Sequence, residues 1–369
     1  MSPHANLLAE VLAYVLGDES NARLRDFLSH EKVLNWQEFL RLTHFHALGA
    51  HVWFAIKKAQ VENLIPNHVR DALRERYLVN LAIDRVQSEE LKALLNQFRK
   101  TSVSAIVLKG LPLHQRLFTE HEWPRGAGDI DFLIHQSDVK RSEEVLRNFG
   151  YHFSPEDDRT RDWYLRWRNQ IPYEKTEGVK CPVTVEIHWS ATRDLFGPHQ
   201  SFERLLGVWG EAQDMCWQGI SVRVLSNEHL IFYQAFHLFS QWGKLALPTL
   251  IDFGRAAKIL WPQVSKEQFC FQGASFALGR LVGAAAKAGR LFYELPEFRD
   301  LERVFPLESL TRYFLTKMLD LERMILTGHF DWKWTFLSFY PLDLIFGLAP
   351  HGSWNYWQFR LKHSRWFER

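Results

Sequence analysis

The sequence predicts an α/β (α+β) fold in which a small mixed sheet is flanked by helical blocks at both ends of the chain. Three observations predict it. Strand signals crowd into the middle of the 369 residues, at Val103–Leu108, Ile130–Ile134 and Pro182–Trp189. Residues 1–98 are rich in Leu, Ala, Glu and Arg, with a Pro66-Asn67 start signal before a long amphipathic stretch to Arg99. From Asn227 onward helical patterning returns, and His229–Leu238 is apolar enough for a buried helix. The expected organisation is a helical region at 1–98, a strand-bearing core at 99–225 and a second helical region at 226–369. There is no internal repeat and no low-complexity segment.

Taken in order, residues 5–16 contain Glu10 and no basic leader, so they read as an amphipathic helix rather than a signal peptide. Val103–Leu108 is a short apolar run broken by Lys109-Gly110 and followed by Leu111-Pro112-Leu113-His114. A strand that turns into a helix at glycine exposes backbone N–H groups suited to phosphate oxygens, and Lys109 adds a positive charge beside them. An ordinary strand-to-helix turn is the plainer alternative.

Gly128-Asp129-Ile130-Asp131-Phe132-Leu133-Ile134 reads as the opening of a strand with two carboxylates on one face. Alternation sets Asp129, Asp131 and Leu133 against Ile130, Phe132 and Ile134, and the two aspartate Cα atoms stand about 6.6 Å apart. Adjacent carboxylates repel and resist burial unless a cation sits between them. A divalent metal with a nucleoside triphosphate is the commonest reason for such a pair; an acidic exposed face is the alternative. Residues 135–150 read as a helix, capped by Ser137 or Asp138 and stopped at Gly150, with the next strand starting at Tyr151. In Pro182–Trp189, Val183, Val185, Ile187 and Trp189 face one way and Thr184, Glu186 and His188 the other. Three carboxylates converge if this strand lies beside the aspartate strand.

The ordered set Leu108-Lys109-Gly110, Arg125, Gly128-Asp129-Ile130-Asp131, a helix ending Asn148-Phe149-Gly150-Tyr151, and Val185-Glu186-Ile187-His188-Trp189 resembles the uncharacterised bacterial nucleotidyltransferase family of the DNA polymerase β-like nucleotidyltransferase superfamily. Trp36–Trp53 looks like that family's leading helices, and His237–Asp252 like its trailing helical segment. The resemblance implies a small mixed sheet of nucleotidyltransferase type. It implies that Asp129 and Asp131 are paired metal-binding aspartates. Glu186 would be the third carboxylate, which helps hold Mg2+ (or Mn2+) and deprotonate the attacking hydroxyl. Gly110 stands at the superfamily's glycine turn, where the usual Gly followed by Gly or Ser reads Gly110-Leu111. Lys109, Gly110, Arg125, Gly128 and His188 are the implied nucleotide contacts. The implied reaction moves a nucleoside monophosphate from a nucleoside triphosphate to a small-molecule, sugar, peptide or protein acceptor and releases pyrophosphate. Two other readings use the same carboxylates: a nucleotide-binding protein with weak or lost catalysis, and a kinase-like phosphotransferase.

Composition bounds the rest. A net charge of +2 with mixed signs does not mark a dedicated nucleic-acid binder. Three scattered cysteines without a C-x-x-C pair argue against a disulfide framework, and a reducing cytoplasm fits best. The C-terminal run Phe336–Pro350 is broken by Pro341 and Asp343 and is too short to span a bilayer. Two clusters among the 15 Trp and 28 Phe mix aromatics with bases, at 159–168 and 354–369. Core-facing aromatic stripes with snorkelling arginines are the favoured reading. An acceptor groove for the first, and peripheral membrane contact for the tail, are the alternatives. No zinc-type histidine or cysteine pattern occurs among the 17 histidines. Asp252, inside an apolar helical stretch, needs a partner, and Arg255 is the nearest candidate.

Overall fold

A computed structural model describes residues 3–16, 21–30, 35–118, 126, 128–155, 160–191, 206–240, 247–275, 278–307, 309, 316 and 325–326. Arg125, the run 336–350 and the tail cluster 354–369 lie outside the described residues. The leading helices are α1 (Pro3–Leu16), α2 (Asn21–His30), α3 (Trp36–Phe45), α4 (Gly49–Lys58) and the long α5 (Asn67–Lys100). The middle runs β1 (Ala105–Val107), α6 (Leu111–Leu117), β2 (Ile130–Ile134), α7 (Val139–Asn148), β3 (His152–Phe153), α8 (Arg161–Trp167), β4 (Gln170–Lys175), β5 (Val183–His188), α9 (Val208–Glu211), β6 (Gln213–Trp217) and β7 (Ile220–Val224). Then come α10 (Asn227–Ser240), α11 (Leu247–Leu260), α12 (Lys266–Ser275), α13 (Leu278–Arg290) and α14 (Pro296–Val304).

The strands form one mixed seven-stranded sheet in the order β3-β4-β5-β2-β1-β7-β6. The expected mixed sheet between helical blocks is therefore present. β2 lies in its centre, parallel to β5 and antiparallel to β1. That position corrects the expectation that the aspartate face of this strand resists burial. Every residue of β2 is buried. Ile130, Phe132 and Ile134 pack into one apolar core with Val107, Val185, Ile187 and the second half of α5. Leu133, on the aspartate side, packs with Ile106 and Leu108 into a larger core built from both helical blocks.

Helix α5 joins the two cores. Its residues Val69, Leu73 and Tyr77 belong to the larger core, and Leu91, Leu94, Leu95 and Phe98 to the sheet's other face. At 34 residues it reaches about 50 Å. Helix α1 keeps only a narrow polar stripe, Asn6, Glu10 and Tyr14, and Arg23 of α2 meets Glu10 at 2.8 Å. Among the described residues no single helix is long and apolar enough to cross a membrane.

The aromatic-basic stretch around 160 forms α8. Thr160 caps it by accepting from the Trp163 amide, Tyr164 is buried, and the Arg168 guanidinium sits 5.6 Å from the Trp163 ring. Arg161 donates to the buried Glu143 of α7, which also accepts from the Tyr173 hydroxyl of β4. Burial alone would raise the Glu143 carboxyl, but these donors outweigh it and hold it below the ordinary carboxylate value. Such a group stabilises the fold fully above its unfolded pKa of about 4.3 and loses that contribution as pH falls through the lower folded value. Glu143→Gln is expected to cost about 1–3 kcal/mol at pH 7 and to flatten the acid limb of the stability profile. Urea unfolding at pH 7 and at pH 3 checks both.

Candidate active site

The register of the sheet assembles the site. Asp131 of β2 pairs with Glu186 of β5, placing the two side chains on one face about 4.8 Å apart across the ladder. His188 follows two residues later on that face, opposite Leu133. β1 lies on the other side of β2, and the Leu108 amide donates to the Asp131 carbonyl at 3.1 Å. Lys109, the next residue, lies past the end of β1, and its ammonium reaches both Asp131 and Asp129. The three carboxylates expected to converge do so.

The side chains grade from mouth to floor. Asp129 is 28% exposed, Glu186 14%, Lys109 13% and His188 6%, while Asp131 is fully buried. Lys109 Nζ stands 3.2 Å from Asp129 Oδ2 and 3.3 Å from Asp131 Oδ2. His188 Nε2 lies 2.9 Å from Asp131 Oδ1 and 3.2 Å from Glu186 Oε2. Burial alone would push both cations towards their neutral forms. The carboxylates outweigh it, raising His188 to about 9 and Lys109 well above its ordinary value. Glu186 is held below the usual carboxylate range, its burial being outweighed by His188. Three carboxylates face two cations, so the cluster keeps one net negative charge. The buried Asp131 Oδ2 makes no hydrogen bond among the described residues.

Gly110 forms the turn between β1 and α6 at φ 87°, ψ −148°, a backbone state that L side chains rarely adopt. It lies against the aspartate strand, since a Cβ there would stand 3.8 Å from the Asp129 carbonyl oxygen. Leu111, which departs from the usual small pair, is half-buried against the core behind the sheet. Gly126 lies against Asn80 of α5. Gly128 is exposed, with open space where a side chain would be. Asp252 is buried on α11. Arg255 donates to the Leu117 carbonyl at 3.0 Å and lies 5.0 Å from the Phe118 ring, pinning the end of α6.

Tyr233 of α10 is a site neighbour that the sequence reading missed. It is 2% exposed and within electrostatic reach of Lys109, Asp131, Asp129 and Glu186. Burial pushes its phenol up, with the carboxylates adding to it and Lys109 opposing, so it stays protonated. Its only signal in the sequence was a hydroxyl inside the apolar run 229–238.

The model of the uncharacterised nucleotidyltransferase family matches residues 32–293, which include every element of this cluster. The chain belongs to that family. Nucleotidyl transfer is therefore the general reaction class of this nucleotidyltransferase, and it is a transferase. Members of this class generally use divalent metals. A comparison with curated proteins found no match.

The donor set suits such an ion. Asp131, Glu186 and His188 each present a ligand atom within 4.8 Å of the others, and the unbonded Oδ2 of Asp131 offers free lone pairs at the floor. Carboxylate oxygens are the ligands hard divalent cations prefer.

Gly110→Ala is expected to lower stability by about 1–3 kcal/mol, the cost of a Cβ in a backbone region that is essentially glycine-only. It should also reduce turnover more than it reduces folding, because the turn aims Lys109. Denaturant titration alongside initial rates separates the two effects.

Proposed function

We propose that this nucleotidyltransferase moves a nucleoside monophosphate from a nucleoside triphosphate to an acceptor hydroxyl or phosphate and releases pyrophosphate. In this reading Asp129, Asp131 and Glu186 hold Mg2+ (or Mn2+). The observation that carries it is the convergence of three carboxylates on one cleft, graded from an open Asp129 to a buried Asp131 with an unbonded oxygen. His188 is assigned as their holder, since its Nε2 stands 2.9 Å from Asp131 Oδ1 and 3.2 Å from Glu186 Oε2.

The chemistry is an in-line displacement at the α-phosphorus. The acceptor oxygen forms the new P–O bond, and the bond to the pyrophosphate oxygen breaks with its electron pair. When bound, a divalent cation supplies positive charge that stabilises the entering and leaving oxygens. Glu186, held ionised, takes the acceptor's proton. Lys109 contacts the triphosphate, and the Gly110 turn lets the backbone approach it. Arg125 and Gly128 are the remaining nucleotide contacts, assigned from their places in the motif. The acceptor classes are a small molecule, a sugar, a peptide or a protein, and nucleic acid is disfavoured by the near-neutral net charge. The three free cysteines fit a reducing cytoplasm.

One observation favours a second reading, nucleotide binding without turnover: Lys109 bridges Asp129 and Asp131. Product analysis separates the readings. Pyrophosphate release means nucleotidyl transfer, nucleoside diphosphate release means a kinase, and binding without either means lost catalysis.

Asp129→Asn and Glu186→Gln are expected to fold normally and lose turnover by about three orders of magnitude or more. Asp131→Asn is expected also to lose stability, on the order of 3 kcal/mol, because two buried cations lose their shared counter-charge. Pyrophosphate assays and thermal melts of the three variants distinguish these outcomes, and near-normal rates in Asp129→Asn would remove it from the site.

Nucleotide binding is read directly by melting the protein with ATP, GTP, CTP or UTP, with and without magnesium. A magnesium-dependent rise for one nucleotide, absent in Asp129→Asn, is the expected result.

A further inference from the structure

We infer that Lys109 is a displaceable counter-ion of the carboxylate site. It holds Asp129 and Asp131 together in the metal-free protein and is driven off towards the nucleotide's phosphates when a divalent cation enters. The inference rests on the nucleotidyltransferase reading of this cluster.

The contacts of Asp131 divide by oxygen. Oδ1 accepts from His188 Nε2 at 2.9 Å, from a side chain that is itself buried and that also binds Glu186. Oδ2 has the ion pair with Lys109 at 3.3 Å but no hydrogen bond. Lys109 reaches Asp129 through the same ammonium, again at Oδ2 and at 3.2 Å. His188 is thus a fixed strut on one oxygen, and Lys109 a looser charge on the two oxygens that face each other across the strand start. A lysine suits that second role. Its charge is compact and rides on a flexible four-carbon stem, whereas a guanidinium would fork onto a carboxylate and hold.

Two cations cannot share these oxygens without repelling each other. The same lone pairs that stabilise the ammonium are those a divalent ion needs, so the two compete. Competition makes the metal alone a weak ligand. A triphosphate changes the balance, because it offers the released ammonium a new anion. Metal and nucleotide then bind with positive coupling, each easing the other's entry. The arrangement keeps three carboxylates from repelling one another in the metal-free protein without permanently occupying the metal's oxygens.

The test is titration of the metal-free protein with Mn2+ alone, followed by the electron paramagnetic resonance signal of free Mn2+. The proteins compared are wild type, Lys109→Met, Lys109→Arg and Asp129→Asn. Lys109→Met is expected to bind Mn2+ at least ~10-fold more tightly than wild type. Turnover with Mn2+ and nucleotide is expected to fall in the same variant. Lys109→Arg keeps the charge and should bind no more tightly than wild type. A Lys109→Met protein that melts cooperatively only with Mn2+ present would support the same conclusion. Equal or weaker Mn2+ binding by Lys109→Met, with binding lost in Asp129→Asn, would overturn the displacement and leave the metal site standing. Unchanged Mn2+ binding by Asp129→Asn would remove Asp129 from the metal site and overturn the displacement as stated, and Mn2+ binding by neither wild type nor Lys109→Met would overturn the metal site itself.

Discussion

Asp131 sits where no water reaches it, in the central strand of a sheet covered on both faces, and an ionised carboxylate survives there only with positive charge supplied from close range. The fold supplies it from both neighbouring strands, Lys109 from the end of β1 and His188 from the end of β5. The placement of His188 follows from register, while Lys109 lies beyond the last paired residue of β1, where the chain turns at Gly110. A one-residue slip of β5 against β2 would turn Glu186 and His188 into the opposite core and bring Val185 and Ile187 to the aspartates. The alternation Val183, Val185, Ile187 against Glu186 and His188 forbids that slip, since it would bury two ionisable groups among apolar side chains. The chemistry of the site and the correctness of the sheet are thus enforced by the same pattern.

The two cores carry different duties. Behind the sheet, α5 and α7 pack on Ile130, Phe132 and Ile134; Glu90 with Lys175 at 2.9 Å and Glu143 with the Tyr173 hydroxyl fasten β4 to those helices, and Arg161 ties α8 to Glu143. In front, the helical elements from both ends of the chain merge into one apolar core that closes over the aspartate face. Closing that face excludes water from the floor while Asp129 stays partly exposed, which strengthens every charge interaction inside the cleft. Tyr233 belongs to this cover.

Much of this architecture was legible in the sequence. The stretch from Pro66-Asn67 to Arg99 became α5 almost to the residue, since strong periodicity over so many turns leaves little room for another conformation. The helix after the aspartate strand and the buried helix at 229–238 appeared as expected. The aspartate strand itself was legible as a strand, but its burial was not. Two carboxylates within three residues argue for solvent on any local reading. Only the presence of Lys109 and His188, 20 residues upstream and 57 downstream of their partners, reverses that argument.

The sequence by itself determined which faces of β2 and β5 carry the carboxylates and His188, because alternation is a local property of an extended backbone. It also determined the glycine turn, because only glycine readily holds the φ of 87° found at Gly110. The tertiary structure decided what those residues do to one another. It made Lys109 and His188 the partners of Asp131, hid Asp131 and left Asp129 in view, and brought Tyr233 over the cluster from a helix that follows the whole sheet in the chain. Charges separated that far along a chain interact only when packing has removed the water between them.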